Sequence, residues 1–224
     1  MAHILPKLIK IPNALTGPQV EDPPIPPILH VIWVGPRTIP DYATANINKW
    51  RELLPEPWTV RLWTNADLTE EYFDKDYLEK INSSKSGAQK ADLMKYYIIA
   101  KTGGFYSDTD VIPYRSLEPI RKLGYNVILC HDNDITWGYC AVGFFGATHG
   151  HPLLLKAVEI CKSATLNTPD IHLHTGPRVM GLSLEQTPGG EEKWPLLTIQ
   201  TFYVNTNPIY DSIRIGTHTY AKEW

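Results

Sequence analysis

Ala88-Gln89-Lys90-Ala91-Asp92-Leu93-Met94-Lys95-Tyr96-Tyr97-Ile98-Ile99-Ala100-Lys101-Thr102-Gly103-Gly104-Phe105-Tyr106-Ser107-Asp108-Thr109-Asp110-Val111 places Asp92, Lys95, Asp108 and Asp110 in a largely apolar setting. The run 86–102 predicts a helix that is apolar nearly all round and therefore buried. Gly103-Gly104 predicts its stop, because glycine tolerates the left-handed backbone that a helix terminus favours. Residues 105–111 predict a short strand ending on Asp108 and Asp110. An unpaired ion is expensive to bury, so charges in such places pair, bind a metal or carry chemistry.

Working outward, Ile28-Leu29-His30-Val31-Ile32-Trp33-Val34 is a near-continuous apolar run closed by Gly35-Pro36, the pattern of a strand buried on both faces. A helix is expected over 42–54, a strand over 59–63 and a surface helix over 65–80. Strands are expected at 126–130 and 140–145, joined by a polar turn, and a helix at 152–163. The Thr175-Gly176-Pro177 turn, another short helix and a last strand near 198–204 complete the pattern. Strands alternating with helices indicate an α/β sheet, whose ligands collect at the carboxyl ends of strands. Upstream, Pro6, Pro12, Pro18, Pro23, Pro24, Pro26 and Pro27 make regular structure improbable over residues 1–27, which are expected to form an extended arm against a single domain at 28–224.

The 224 residues are enough for one domain with a sizeable core. With 21 Lys+Arg against 24 Asp+Glu, the net charge of −3 speaks against a nucleic-acid partner. No apolar run approaches the roughly 20 residues that span a bilayer, and the chain is expected to be soluble, as a monomer or as a domain of a larger polypeptide. Cys130, Cys140 and Cys161 lack metal or redox spacing and read as packing thiols, so a reducing, cytoplasmic compartment is expected.

Asp-x-Asp occurs three times, and context chooses among them. Asp74-Lys75-Asp76 lies among charged neighbours and reads as a solvated helix face. Asp108-Thr109-Asp110 closes an apolar strand, where residues two apart share a face and both carboxylates can meet one cation. Oxygen ligands suit Mg2+ or Mn2+; the alternative is a pair that caps a turn. Asp132 and Asp134 follow another strand and either line the same cleft or serve as ordinary turn residues. Asp92 and Lys95, three apart on one helix face, are a structural ion pair, or Asp92 receives hydroxyls of a bound sugar while Lys95 offsets negative charge. Trp33 packs in the core or offers a stacking surface for a base. His218 sits on a polar tail, residues 216–224, that ends on Trp224 and could close over a cleft.

Together, residues 25–35, Ala91-Asp92-Leu93-Met94-Lys95-Tyr96-Tyr97, the Gly103 to Val111 segment, Thr175-Gly176-Pro177 and the 218–224 tail resemble the DXD-motif sugar transferases of glycosyltransferase family 32. That group spans mannosyltransferases, bacterial capsule transferases and, distantly, the glucosylating domains of clostridial toxins, with similar small domains in giant algal viruses. The resemblance covers residues from about 25 to the end. It implies a GT-A fold, a Rossmann-like nucleotide-binding half with a mixed central sheet flanked by helices. It further implies a hexosyltransferase of glycan biosynthesis that uses a nucleotide-sugar donor with Mn2+ or Mg2+, retains anomeric configuration and acts on a glycan or glycoconjugate hydroxyl.

By that resemblance Trp33 would stack on the base, Asp92 and Lys95 would hold sugar and phosphate, and Tyr106 would pack beside the nucleotide. Asp108 would contact ribose, sugar and metal-bound water, Asp110 would bind the metal directly, and His218 and Trp224 would complete the metal and diphosphate site from the closing tail. Asp132 and Asp134 are the candidates should a carboxylate nucleophile exist. Lys95 stands where many members carry arginine and would act as a point charge rather than a bidentate fork. A UDP-sugar is the preferred donor, with a GDP-sugar the second choice. The rival readings are a nucleotidyltransferase, for which Gly35-Pro36-Arg37 is a poor triphosphate loop, and a non-catalytic sugar- or nucleotide-binding module.

Overall fold

The structure, a computed structural model, describes residues 8–11, 19–131, 140–187, 194–197, 214–219 and 221. Along the chain run β1 (Leu8–Ile11), β2 (Ile28–Ile32), α1 (Asp41–Leu53), β3 (Thr59–Trp63), α2 (Lys75–Ser83), α3 (Gly87–Thr102), β4 (Gly104–Ser107) and β5 (Val111–Pro113). Then come α4 (Glu118–Arg121), β6 (Val127–His131), β7 (Cys140–Ala147), α5 (Pro152–Ser163), α6 (Ile171–His174), α7 (Pro177–Gln186), β8 (Trp194–Leu197) and β9 (Gly216–His218). Seven strands form one sheet in the order β1-β8-β6-β7-β4-β2-β3, and β5 pairs with β9 in a separate ribbon. Only β7 runs against its neighbours, antiparallel to both β4 and β6, so the sheet is mixed, as expected.

Strand alternation divides the core between the two faces of this sheet. Tyr106, Phe145, Val127 and Leu129 pack with α2, α3, α5 and α7, while Phe105, Phe144, Ile128 and Cys130 pack with α1 and α4. Both faces are covered, which explains why the strands read as continuous apolar runs. The same covering buries α3 on nearly every side, including Asp92 and Lys95. Ser86 caps α3 by accepting from Gln89 N, and Gly103 and Gly104, at φ 69° and 101°, turn the chain directly into β4. Among the described residues no helix is long and apolar enough to cross a membrane. All three cysteines are buried and stand outside any disulfide.

Three expectations need correction. Regular structure does enter the arm: β1 is an edge strand parallel to β8. The five residues between Pro6 and Pro12 leave room for a short edge strand, where prolines at the ends cost no ladder bond. The expected surface helix over 65–80 is instead a 3-10 turn at Asn65–Asp67, capped by Thr64, and a separate α2. The strand expected over 105–111 stops at Ser107, and Val111 starts the other ribbon. The last strand expected near 198–204 lies outside the described residues.

His30 shows how tightly the sheet is joined to the helix stop. Its Nδ1 accepts from Trp63 Nε1 at 3.0 Å and its Nε2 faces the Gly103 carbonyl at 3.1 Å, so the ring is the neutral Nε2–H tautomer. Burial, with the Arg61 charge adding to it, outweighs the Gly103 hydrogen bond and lowers its pKa from 6.5 to about 4. The unfolded chain then takes up the proton first, and stability falls as pH drops from about 6.5 towards 4. The full loss is about 3 kcal/mol. Urea midpoints followed from pH 7 to 4.5 are expected to show this slope, and His30→Gln is expected to flatten it. An equal slope in that variant would show that His30 is not the titrating group.

Candidate active site

The turn after β4 gathers the acidic residues. Asp108 N donates to Gly143 O at 2.8 Å, and Val111 N closes the turn on Asp108 O at 3.3 Å. Asp108 and Asp110 therefore converge through a turn and not through strand alternation, the physical reason being that β4 has already left the ladder at Ser107. His218, on β9 directly opposite Val111, completes the group. Its Nε2 lies 3.1 Å from Asp108 Oδ2 and 3.2 Å from Asp110 Oδ1. One ligand atom from each of the three residues falls within 4.8 Å of the others.

The surroundings hold these side chains in place. Tyr106 OH donates to Asp108 Oδ1 at 2.5 Å. Ala221 N donates to Asp110 Oδ2 at 2.8 Å, and Thr219 N and Oγ1 both donate to Asp110 O at 3.0 Å, so the segment after β9 is tied to the turn. Burial pushes the Asp108 carboxyl up, but the His218 hydrogen bond and the Lys95 charge outweigh it and hold it below its ordinary value. Asp110 goes the other way, raised by burial and by the Asp108 charge. Burial opposes protonation of His218, yet the bond to Asp108 and the charge of both carboxylates raise its pKa. Two carboxylates and an imidazole whose Nε2 faces both of them are a hard, mixed oxygen and nitrogen donor set that fits a divalent cation.

Sequence reasoning missed Gly143 on β7. A Cβ at that position would lie 2.9 Å from Asp108 Oδ2 and 3.0 Å from His218 Cδ2, so only glycine leaves the cluster undisturbed. Nothing near Gly143 in the sequence signals this contact, which is set by strand pairing. Gly143→Ala is expected to weaken Mn2+ affinity about 10- to 100-fold with the fold retained. Calorimetric titration of Mn2+ checks it, and unchanged affinity would show that the cluster does not ligate.

Asp92 and Lys95 sit beside this cluster. Lys95 Nζ lies 2.5 Å from Asp92 Oδ1, with the side chains 3% and 12% exposed respectively, so the ion pair is real and almost buried. Thr175 Oγ1 donates to Asp92 Oδ2 at 2.9 Å. Lys95 Nζ also stands 5.2 Å from the centre of the Tyr106 ring, whose hydroxyl holds Asp108. Thr175, Asp92, Lys95, Tyr106, Asp108, His218 and Asp110 are thus linked one to the next from the middle of α3 to the turn after β4, with the Lys95 ammonium over the Tyr106 ring as the joining contact.

Trp33 is mostly buried and also lines a cleft of about 240 Å3 together with Ile39, Leu62, Thr64, Asn65 and Ala66. This cleft opens past the carboxyl ends of β2 and β3, and β2 is the parallel neighbour of β4, so Trp33 and Asp108 emerge on the same edge of the sheet. Its polar side chains are already engaged: the Asn65 amide exchanges two hydrogen bonds with the Gly35 backbone, and the Trp33 indole donates to Arg37 O. What the cleft offers is mainly an apolar surface. Asp74 and Asp76 lie at the start of α2, away from this group. Asp132, Asp134 and Trp224 fall outside the described residues.

Residues 40–129 match the family described as glycosyltransferase sugar-binding region containing DXD motif, and the matched span carries both the Asp92–Lys95 pair and the Asp108-Thr109-Asp110 turn. Over that span, less than half of its length, this chain is similar to that DXD-motif family. Among curated relatives, inositol phosphoceramide mannosyltransferase 1 of Schizosaccharomyces pombe is 27% identical over 60% of this chain and 42% of its own length. Inositol phosphoceramide mannosyltransferase 3 of the same yeast is 30% identical over 60% of this chain and 36% of its own length. An uncharacterised glycosyltransferase of Acanthamoeba polyphaga mimivirus is 28% identical over 58% and 52%. The chain therefore spans about half or less of the length of these relatives. Among solved structures, the PaToxG glycosyltransferase superposes at TM-score 0.55 with 16% identity, covering 77% of this chain and 71% of its own. A glycosyltransferase involved in glycosylation of the major capsid of PBCV-1 gives 0.50 with 11% identity, covering 86% and 93%. At such identities these structures speak for the fold alone, and that fold is the GT-A type expected for the DXD-motif family.

Proposed function

We propose that this chain is a metal-dependent glycosyltransferase that moves a hexose from a nucleotide-diphosphate sugar to an acceptor hydroxyl with retention of configuration. The observation that carries the reading is the convergence of Asp108, Asp110 and His218 next to the buried Asp92–Lys95 pair. The named activities of the fission yeast relatives support a hexosyl donor and a glycoconjugate acceptor for this chain. Residues 28–224 would act as one catalytic domain bearing the 1–27 arm. A UDP-sugar is the first choice of donor and a GDP-sugar the second, and the buried thiols are in keeping with a reducing, cytoplasmic compartment.

Asp108, Asp110 and His218 would hold Mn2+ or Mg2+. When bound, the cation supplies Lewis-acid neutralisation of the charge that grows on the departing diphosphate. Trp33 stacks on the base in the cleft it lines, and Tyr106 holds Asp108 in place beside the nucleotide. Asp92 accepts hydroxyls of the sugar, and the Lys95 ammonium stabilises the leaving phosphate as a point charge. The acceptor oxygen bonds to the anomeric carbon from the side on which the carbon–phosphate oxygen bond breaks, and its proton passes to the departing phosphate oxygen. Asp132 and Asp134, which lie outside the described residues, are the candidates should a carboxylate nucleophile exist.

Incubation with UDP- and GDP-sugars, Mn2+ and a set of glycan and glycolipid acceptors tests the proposal. Release of nucleoside diphosphate coupled to acceptor glycosylation is the expected result. Binding of nucleotide without turnover for any acceptor would favour a non-catalytic module instead.

A further inference from the structure

We propose that Thr175 is the positioning residue for the donor sugar: its hydroxyl fixes the Asp92 carboxylate in the orientation that receives sugar hydroxyls, and so sets affinity for the sugar half of the donor and not the nucleotide half. This rests on the role given to Asp92 above. Asp92 and Lys95 are three residues apart on α3, and such a pair can form in more than one side-chain arrangement. With Lys95 Nζ on Oδ1 at 2.5 Å, the hydroxyl of Thr175 on Oδ2 at 2.9 Å selects one of them. A hydroxyl adds no charge to a carboxylate that Lys95 already neutralises, so its contribution is geometric. A carboxylate accepts about four hydrogen bonds, and two of these are taken. The rest are left for a ligand at the small part of the side chain, 12%, that stays exposed.

The turn that carries Thr175 is built to keep its hydroxyl there. Thr175 N and Gly176 N both donate to Ile171 O, at 2.9 and 3.0 Å, and Tyr96 OH, from the residue after Lys95, donates to Gly176 O at 3.0 Å. A Cβ on Gly176 would come 2.9 Å from His172 Cα, and Pro177 starts α7 at once. Thr175 itself is fully buried, so no ligand reaches it and it acts only through Asp92. Groups that orient a binding residue have to be fixed as closely as the residue itself.

The test compares Thr175→Val, which keeps the shape and removes the hydroxyl, with Thr175→Ser, which keeps the hydroxyl. Affinities for UDP against UDP-glucose, and for GDP against GDP-mannose, are measured with Mn2+ on protein shown to be folded by thermal unfolding. Thr175→Val is expected to lower affinity for the sugar nucleotide about 10- to 100-fold relative to the matching diphosphate, the range of a hydrogen bond to a charged group. Thr175→Ser is expected to restore most of it, and in an Asp92→Asn background Thr175→Val should add little, because the two act as one unit. If the wild type binds a nucleotide and the ratio is unchanged in Thr175→Val, or both ligands weaken equally, the positioning role is overturned while the donor reading stands. No nucleotide binding by the wild type overturns the donor reading, and this inference with it. If Thr175→Val does not fold, the ratio in Thr175→Ser and in Asp92→Asn decides: loss of sugar preference in Asp92→Asn with retention in Thr175→Ser supports the role, and any other outcome overturns it.

Discussion

Asp110→Ala is expected to abolish Mn2+-dependent donor binding and to cut transfer about 1000-fold, since several kcal/mol of charge stabilisation on the leaving diphosphate goes with the cation. The fold is expected to survive. Burial and the Asp108 charge already press against ionisation of Asp110, so removing its carboxylate relieves repulsion while forfeiting the bond from Ala221 N and the contact with His218 Nε2. These two effects oppose each other, and the net change in unfolding free energy is expected to stay within about 1 kcal/mol. Donor titrations with Mn2+ and with chelator, beside urea unfolding, measure both quantities. Nucleotide affinity that is unchanged in the variant would remove Asp110 from the metal site.

Lys95→Met carries the largest expected stability effect. It leaves Asp92 almost buried with a hydroxyl as its remaining partner, and breaking one side of such a pair costs about 3–5 kcal/mol. A domain of this size would then melt roughly 10 °C lower. Asp92→Asn combined with Lys95→Met removes the stranded charge and is expected to recover most of that loss, while transfer stays abolished because the proposed sugar and phosphate contacts are both gone. Stability restored without activity separates the two roles of the pair. Activity restored along with stability would show that the pair is structural alone.

The parts of this protein that were legible in the sequence are those whose cause is local. A run over 86–102, apolar nearly all round and stopped by Gly103-Gly104, announces a buried α3, and the structure bounds it at Gly87–Thr102. The strand at 59–63 and the helix at 152–163 agree with Thr59–Trp63 and Pro152–Ser163 for the same reason: alternation and a proline at the first helical turn are read within a few residues. Contacts between distant residues were not legible. Thr175 meets Asp92 across 83 positions, and His218 meets Asp108 across 110. The first of these pairings had no local sign at all; the second was reached through the likeness of whole motifs to a known family. Gly143 carries only the absence of a side chain, and its importance depends on which strand lies opposite. The break at Ser107 was hidden because Asp108-Thr109-Asp110 suits a strand end and a tight turn equally well.

The most direct measurement is titration of UDP and of GDP into the wild-type protein, once with Mn2+ and once with chelator, read by heat and by thermal shift. A divalent cation and a diphosphate that share the Asp108-Asp110-His218 cluster give binding and a raised unfolding temperature with Mn2+, and neither with chelator. Equal binding in both conditions, or none in either, would contradict the cluster's role as the donor diphosphate site.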